Sequence, residues 1–209
     1  MPRHKPTAET LAARKHAILN SAGQVFLEKG FAGTTTLEIA RHAKASKREL
    51  YEMFGSKQDL LAALIRSVSQ RMQSPLRLPA PHSRAALFDI LRGFAVKFLE
   101  ELLAPTRIGL YRLAIAEAHR SPMVAQELET NGREPVQAAV RDLFRHGEAS
   151  GYIEPGETSL MVRVFFGVLV GNSLTQSLLG LGTEPTTETI RERAATAVSV
   201  IERMSRRQG

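Results

Sequence analysis

Hydroxyl and basic side chains are concentrated between positions 34 and 57. Ser46-Lys47-Arg48-Glu49 has the S-x-x-E pattern of a capping box, in which Ser46 and Glu49 satisfy each other's free backbone N–H groups. The pattern predicts that a helix begins here and carries Lys47 and Arg48 in its first turn. Because such side chains donate hydrogen bonds to base edges and phosphates, the chemistry indicated is binding of nucleic acid.

Hydroxyl residues also open the neighbouring helices. A threonine of Thr34-Thr35-Thr36 is predicted to cap a helix that ends near Ala43, and Ser56 is predicted to open the helix after the Ser46 one. Two short helices joined by a tight turn describe a helix-turn-helix, whose second helix lies in the major groove of DNA. The sequence therefore predicts double-stranded DNA as a partner.

Helical periodicity runs through the rest of the chain, and no sustained two-residue alternation indicates a strand. Gly30 is predicted to end the first long helix, and the three prolines within 74–81 interrupt another. We predict an all-α fold of about nine helices. It comprises a three-helix helix-turn-helix domain over 1–55, a connecting helix over 56–73 and a larger helical domain over 74–209.

The positive charge is concentrated in the first third of the chain. Residues 1–72 have a net charge of +6, whereas residues 73–209 have a net charge of +1. This asymmetry predicts an anionic partner for the N-terminal third alone. A nonspecific architectural DNA-binding protein, the alternative reading, would need basic charge spread along the whole fold.

Several other classes of protein are disfavoured. Cysteine is absent and the six histidines occur singly, so we expect no metal site, and no motif for a cofactor or a catalytic nucleophile indicates an enzyme. The longest apolar run, residues 164–171, is too short to cross a bilayer, and the polar N-terminus lacks the core of a signal peptide. We expect a cytoplasmic protein without a membrane partner.

Over residues 10–65 the sequence resembles the DNA-binding domain of TetR-family repressors. The ordered residues that carry this resemblance are Gly30-Phe31, Thr34-Thr35-Thr36-x-x-Ile39-Ala40 and Ser46-Lys47-x-x-Leu50-Tyr51-x-x-Phe54-x-Ser56-Lys57-x-x-Leu60. Farther along, Arg112-Leu113-x-Ile115-Ala116-Glu117-Ala118 is similar to the AcrR-like subset. The resemblance implies a repressor that binds a palindromic operator as a homodimer and is released by a small effector.

The resemblance also implies phosphate contacts. Tyr51 is expected to bind a phosphate, with packing against the first helix as the alternative, although the acidic Glu52 beside it departs from the family pattern. Lys57 combines its charge with a helix N-terminus, a favourable position for a phosphate. Thr35 and Thr36 are expected to cap their helix, to contact phosphate, or to do both.

Base reading is expected from Ser46, Lys47 and Arg48, with Arg48 suited to bidentate contact with guanine. Glu49 has two possible roles, as a capping residue or as an acceptor from cytosine N4. Lys44 occupies the turn where the family commonly has glycine, which suggests a slightly different turn. Basic residues at the head of the first helix are further candidates for contact with DNA backbone or groove. They are Arg3, Lys5, Arg14 and Lys15.

The dimer surface is expected in residues 158–180 and 186–204. Gly167 and Gly171 would allow close approach of helices, although residues 158–180 also fit a central core helix. A neutral helical domain rich in phenylalanine can enclose an apolar or aromatic effector, and plain core packing is the alternative. Asn172 and Gln176 share a helix face and could instead bond across the dimer. The candidate ligand residues are Phe94, Phe98, Tyr111, Gln137, Phe144, Phe165, Asn172 and Gln176.

Overall fold

Helices and turns make up the parts of the chain that the computed structural model describes, residues 8–77, 80–119, 122–156, 158–181 and 185–205, and no strand occurs in them. The predicted all-α fold is confirmed. The α-helices are α1 (Ala8–Gly33), α2 (Thr36–His42), α3 (Lys47–Phe54), α4 (Lys57–Met72), α5 (Arg84–Leu102), α6 (Pro105–Glu117), α7 (Met123–Glu127), α8 (Glu134–Ala149), α9 (Thr158–Val170), α10 (Ser173–Leu179) and α11 (Thr187–Met204). A 3-10 helix, Ser74–Arg77, follows α4, and a π-helical turn, Leu128–Arg133, joins α7 to α8.

The first helix is interrupted where the sequence predicted its end. Gly30 has φ +75° and ψ 167°, a left-handed backbone that glycine adopts without the penalty of a Cβ atom. The hydroxyl of Thr34 donates to the carbonyl of Gly30 at 2.7 Å, and Thr34 itself is buried. This buried hydroxyl fixes the chain immediately before α2 begins.

Capping boxes open both helices of the helix-turn-helix, where the sequence predicted a threonine cap for the first helix and a capping box for the second. The hydroxyl of Thr35 accepts from the backbone N–H of Glu38, whose carboxylate accepts from the N–H of Thr35 at 2.9 Å. Ser46 and Glu49 make the same reciprocal pair at the start of α3, with distances of 3.0 and 3.4 Å. Each cap satisfies backbone donors that the first helical turn leaves without partners.

The next helix begins in the same way. The Ser56 hydroxyl accepts from the N–H of Asp59 at 3.1 Å, and the Asp59 carboxylate accepts from the N–H of Ser56 at 3.0 Å. Gly55, between α3 and this cap, has φ +83°, so the turn uses a conformation that favours glycine. Three successive helices therefore start at positions that local side chains determine.

The chain divides into two compact units. The N-terminal unit comprises residues up to Ser67 and Gly109–Leu128, and the C-terminal unit comprises Val68–Ile108 and the residues from Glu129 onward. In the N-terminal unit, apolar residues of α1 to α4 share one core with Leu110, Leu113 and Val124. Residues 109–128 lie within the predicted larger domain, 74–209, yet pack in the N-terminal unit. The division of the chain into functional domains at residues 55 and 73 stays a prediction.

Phenylalanine rings form the centre of the C-terminal unit. Phe94 of α5, Phe144 of α8 and Phe165 of α9 are fully buried. The ring centroid of Phe165 lies 6.1 Å from that of Phe94 and 6.4 Å from that of Phe144. These rings hold α5, α8 and α9 together as core packing.

The apolar stretch 158–180 is two helices, because the chain breaks at Gly171, where φ is +47°. α9 and α10 meet there at a bend of 45°. No single helix in the described parts of the chain is long and apolar enough to cross a membrane, and only this bent pair reaches the necessary length and hydropathy, when its two helices are taken together.

Candidate nucleic-acid interface

Four residues, 43–46, separate α2 from α3 and form a turn. Lys44 in this turn has φ +48°, so a lysine adopts the left-handed conformation that glycine favours. The N–H of Lys44 donates to the carbonyl of Arg41 at 3.2 Å, and the N–H of Ala45 donates to that of Ala40 at 2.8 Å. The turn is therefore closed by backbone hydrogen bonds, at the conformational cost of a left-handed lysine.

Arg14 of α1 holds this turn from outside. Its guanidinium donates to the carbonyl of Lys44 at 2.8 Å and to that of Ala43 at 3.3 Å. The same group forms a two-point ion pair with Glu49, in which Nε lies 2.7 Å from Oε1 and Nη2 lies 3.1 Å from Oε2. One side chain thus binds the end of α2, the turn and the first turn of α3. Sequence reasoning offered Arg14 only as a DNA contact, since its partners lie about 30 residues away along the chain.

Glu49 is occupied on both of its carboxylate oxygens. It caps α3 through the N–H of Ser46 and pairs with the guanidinium of Arg14. The hydrogen bond from Arg14 is the largest cause that holds the pKa of Glu49 below its usual range, so the carboxylate is charged at neutral pH. Of its two predicted roles, these contacts favour the cap over acceptance of a hydrogen bond from cytosine.

Three exposed side chains remain at the start of α3, those of Ser46, Lys47 and Arg48. Leu50 and Phe54, on the opposite face, are buried in the core of the N-terminal unit. A short helix held on one side by its apolar residues thus presents hydroxyl, ammonium and guanidinium donors on the other. This arrangement can bind base edges in a groove.

The side chains of Lys47 and Arg48 each contact the residue four positions later, one helical turn along α3. The Nζ of Lys47 lies 5.7 Å from the ring centroid of Tyr51, whose side chain is half exposed. The Nε of Arg48 donates to Oε1 of Glu52 at 2.7 Å. Tyr51 is therefore on the exposed side of α3, which favours its predicted phosphate contact over packing against the first helix.

Lys57 lies at the start of α4, and its ammonium has internal partners. Nζ donates to the carbonyls of Phe31 and Thr34, both at 2.8 Å, and lies 4.4 Å from the ring centroid of Phe31. An ammonium has three N–H donors, so these bonds leave one for a phosphate. Lys57 also brings the beginning of α4 next to the beginning of α2, where Thr35 and Thr36 lie.

The Thr35 hydroxyl is already used in the cap of α2. It accepts from the N–H of Glu38 and donates to the Glu38 carboxylate at 2.9 Å. Lys29 also pairs with Glu38, and this hydrogen bond is the largest cause that lowers the pKa of Glu38 to about 2. Thr36 is half-buried at the first position of the helix. Of the two threonines, Thr35 is the exposed one.

The other basic residues predicted near DNA are placed differently from Arg14. The Nζ of Lys15 lies 5.6 Å from the ring centroid of Phe54. Arg3 and Lys5 lie outside the described residues.

Among the described residues, no three His, Asp or Glu side chains form a group that could hold a metal ion.

The predicted ligand residues lie in different surroundings, and their role in binding stays a prediction. Phe94, Phe98, Phe144 and Phe165 are buried core, whereas Asn172 and Gln176 are exposed on and beside α10. Tyr111 belongs to the N-terminal unit and packs against its core, and Gln137 is half-buried on α8. A cleft of about 340 Å³ opens elsewhere in the C-terminal unit. Its lining includes Leu76, Arg77, Pro81, Ile90, Leu143 and His146.

Two family descriptions match this chain. Residues 18–64 match the bacterial regulatory proteins of the tetR family, and residues 89–204 match the C-terminal domain of AefR-like transcriptional repressors. Together the matches include α3 with its exposed donors and most of the C-terminal unit.

Individual relatives show the same pattern. The HTH-type transcriptional regulator HbdR of Aromatoleum sp. (strain CIB) is 42% identical over 55 residues, which are 26% of this chain and 24% of HbdR. The crystal structure of a TetR transcriptional regulator from Agrobacterium tumefaciens is 31% identical, with a TM-score of 0.73 over 91% of this chain and 93% of that one. The flavonoid-responsive regulator FrrA is 25% identical, with a TM-score of 0.71 over 95% of this chain and 100% of FrrA.

Proposed function

The chain belongs to the TetR family of bacterial transcriptional regulators, and we propose that it is a repressor that binds a palindromic operator as a homodimer and is released by a small effector. The observation that carries this proposal is the exposed row of Ser46, Lys47 and Arg48 on a helix fixed by Arg14. A helix that is already held in place need not be ordered when it binds, so it suits the reading of bases.

Bases and phosphates are bound by different residues in this proposal. Arg48 reads a guanine, assisted by Lys47 and Ser46, and these contacts supply sequence preference. Tyr51 and Lys57, together with Thr35 and Thr36, contact phosphates and set the position of the protein on the duplex. Glu49 stays in its cap and makes no base contact, which its two engaged oxygens support.

A dimer supplies the second reading helix. Residues 158–180 and 186–204 are the proposed surface, and both stretches keep a face that the described parts of the chain leave exposed. On α9, Leu160 and Val168 are exposed, and a Cβ atom added at Gly167 would meet nothing within 4 Å. On α11 the small residues Ala195 and Ser199 are exposed. Two copies joined there would read half-sites about 34–36 Å apart.

The effector is proposed to be apolar or aromatic and to bind in the C-terminal unit. FrrA, similar over nearly the whole chain, is described as flavonoid-responsive, which supports this chemical class. Flavonoids are therefore the first probes for release of labelled operator DNA. We expect at least one of them to release the operator DNA without unfolding the protein. If no apolar or aromatic compound releases the DNA, this part of the proposal is contradicted.

Selection of bound sequences from a pool of random duplexes tests the DNA-binding proposal. We expect a two-fold symmetric sequence with a guanine in each half-site. An architectural protein that binds every duplex alike would recover no motif, and that result would overturn the proposal. The near-neutral charge of residues 73–209 favours the first outcome, because nonspecific binding depends on phosphate neutralisation over a wide surface.

A further inference from the structure

We propose that Glu52 is a specificity-determining residue that acts by holding the guanidinium of Arg48 in position to read its base. The inference rests on the proposed function, because it assigns a role within the same reading helix. Glu52 acts through Arg48 and is therefore a positioning residue.

The contact between these two side chains is direct. Oε1 of Glu52 accepts from Nε of Arg48 at 2.7 Å, across one turn of α3. The Arg48 side chain is 87% exposed and that of Glu52 is 61% exposed. The ion pair therefore lies on the open side of the helix, where the partner would bind.

The atom that Glu52 binds is important for reading. A guanidinium has five N–H donors, one on Nε and two on each Nη nitrogen. Because Glu52 accepts from Nε, the four donors at the end of the side chain stay available. Two parallel donors at that end match the O6 and N7 acceptors of guanine in the major groove.

The neighbouring cation is held in an equivalent manner. Lys47 lies over the ring of Tyr51, also one turn later, so adjacent cations have partners at adjacent positions. Glu52 differs from Tyr51 because it places a negative charge beside a polyanion. Pairing with Arg48 offsets that charge, whereas a carboxylate that merely faced phosphate would weaken binding to every sequence.

The expected effect follows from side-chain entropy. Ordering a long side chain on binding costs conformational entropy, so loss of a residue that orders it beforehand should lower the preference for guanine roughly three- to tenfold. The loss should concern only the base that Arg48 reads. Affinity for all other sequences should rise slightly, because a negative charge is removed.

The experiment measures dissociation constants for the selected operator and for duplexes with a single base changed, at fixed salt. The variants are R48A, E52A, E52Q and the double variant R48A/E52A. Glutamine at position 52 keeps an oxygen that accepts from Arg48 but removes the charge. E129Q is the matched control, since Glu129 and Arg133 form another exposed ion pair four residues apart, in the C-terminal unit.

We expect E52A to lower the guanine preference at the position that R48A affects, and E52Q to lower it less. The double variant should lose no more preference than R48A alone, and E129Q should behave like the wild type. If E52A keeps the wild-type preference for guanine, and E52A and E52Q both bind every duplex more tightly by the same factor, the inference is overturned. Glu52 would then act only by repelling phosphate. Altered preference at a different base pair would also overturn it, because Glu52 would then read a base itself. A wild type with no preferred sequence would contradict the proposed function as well, so the two failures are distinguishable.

Discussion

Arg14 and Glu49 are joined by a two-point ion pair, with Nε–Oε1 and Nη2–Oε2 distances of 2.7 and 3.1 Å. Arg14 lies in α1 and Glu49 lies in the first turn of α3, so this pair connects the long N-terminal helix to the proposed reading helix. Arg14 also binds the carbonyls of Ala43 and Lys44. The orientation of α3 therefore depends on a residue that contacts no base in the proposed complex.

Replacement of Arg14 should affect both stability and DNA binding. R14A removes the two-point pair and leaves two turn carbonyls to solvent, so we expect a loss of about 1 kcal/mol, reduced by the partial exposure of the pair. Urea unfolding followed by circular dichroism measures this loss. R41A, which removes an exposed arginine of α2, is the control for charge and should change the unfolding free energy less. Equal effects of both variants would refute the role given to Arg14.

Stability of the N-terminal unit should fall in acid. The capping carboxylates Glu38, Glu49 and Asp59 all have a lowered pKa, with Glu38 at about 2, because hydrogen bonds from Lys29, Arg14 and Ser56 favour their charged forms. A lowered pKa in the folded state means that the stabilisation is complete above the unfolded-state pKa values of 4.5 and 3.8. It is lost as the pH falls through the folded-state values.

The triple variant E38Q/E49Q/D59N tests this pH dependence. It should be less stable than the wild type at neutral pH and should lose less stability between about pH 5 and pH 2. Urea midpoints at several pH values measure both quantities. Parallel curves for the two proteins would show that these caps do not contribute to acid unfolding.

The left-handed lysine of the turn offers a stabilising substitution. In K44G the backbone keeps φ near +48° without the steric penalty of a Cβ atom. Glycine also has greater entropy in the unfolded chain, which offsets part of this gain, so the free energy of unfolding should rise by about 0.5–1 kcal/mol. K44A removes the same charge and keeps the penalty, so it should give no such gain. A K44G protein no more stable than K44A would contradict this account of the turn.

The proposed dimer surface can be tested by a single charge. Val168 is 36% exposed on α9, and V168E should convert the dimer to a folded monomer because a carboxylate would be buried at the interface. I115E, which places the same charge on an exposed apolar residue of the N-terminal unit, is the control and should leave the dimer intact. Sedimentation equilibrium measures the mass, and circular dichroism verifies the fold. A dimeric V168E protein would exclude this face.

Local features could be predicted from the sequence because the atoms involved lie within one helical turn. The caps at Thr35 and Ser46 each bond a residue three positions later, and Gly30 breaks α1 through its own backbone. The all-α fold follows from the same local periodicity. These features require no knowledge of how distant segments pack.

Contacts between distant segments could not be predicted in this way. Arg14 and Lys57 also bind backbone carbonyls that lie far away along the chain, and the sequence gives no sign of these contacts. The phosphate contact of Lys57 stays a prediction. The packing of residues 109–128 with the N-terminal helices likewise has no local signal in the sequence. Phe94 and Phe98 lie four residues apart, as in a helical stripe, and that spacing is the same for a filled core and for a pocket wall.

The most direct test compares the affinity of the wild-type dimer for its selected palindrome with its affinity for a scrambled duplex of the same length and composition. Both dissociation constants are measured by fluorescence anisotropy at one salt concentration. If α3 reads bases through Ser46, Lys47 and Arg48, the palindrome should bind at least about a thousandfold more tightly. Equal dissociation constants for the two duplexes would contradict the assignment of α3 as a reading helix.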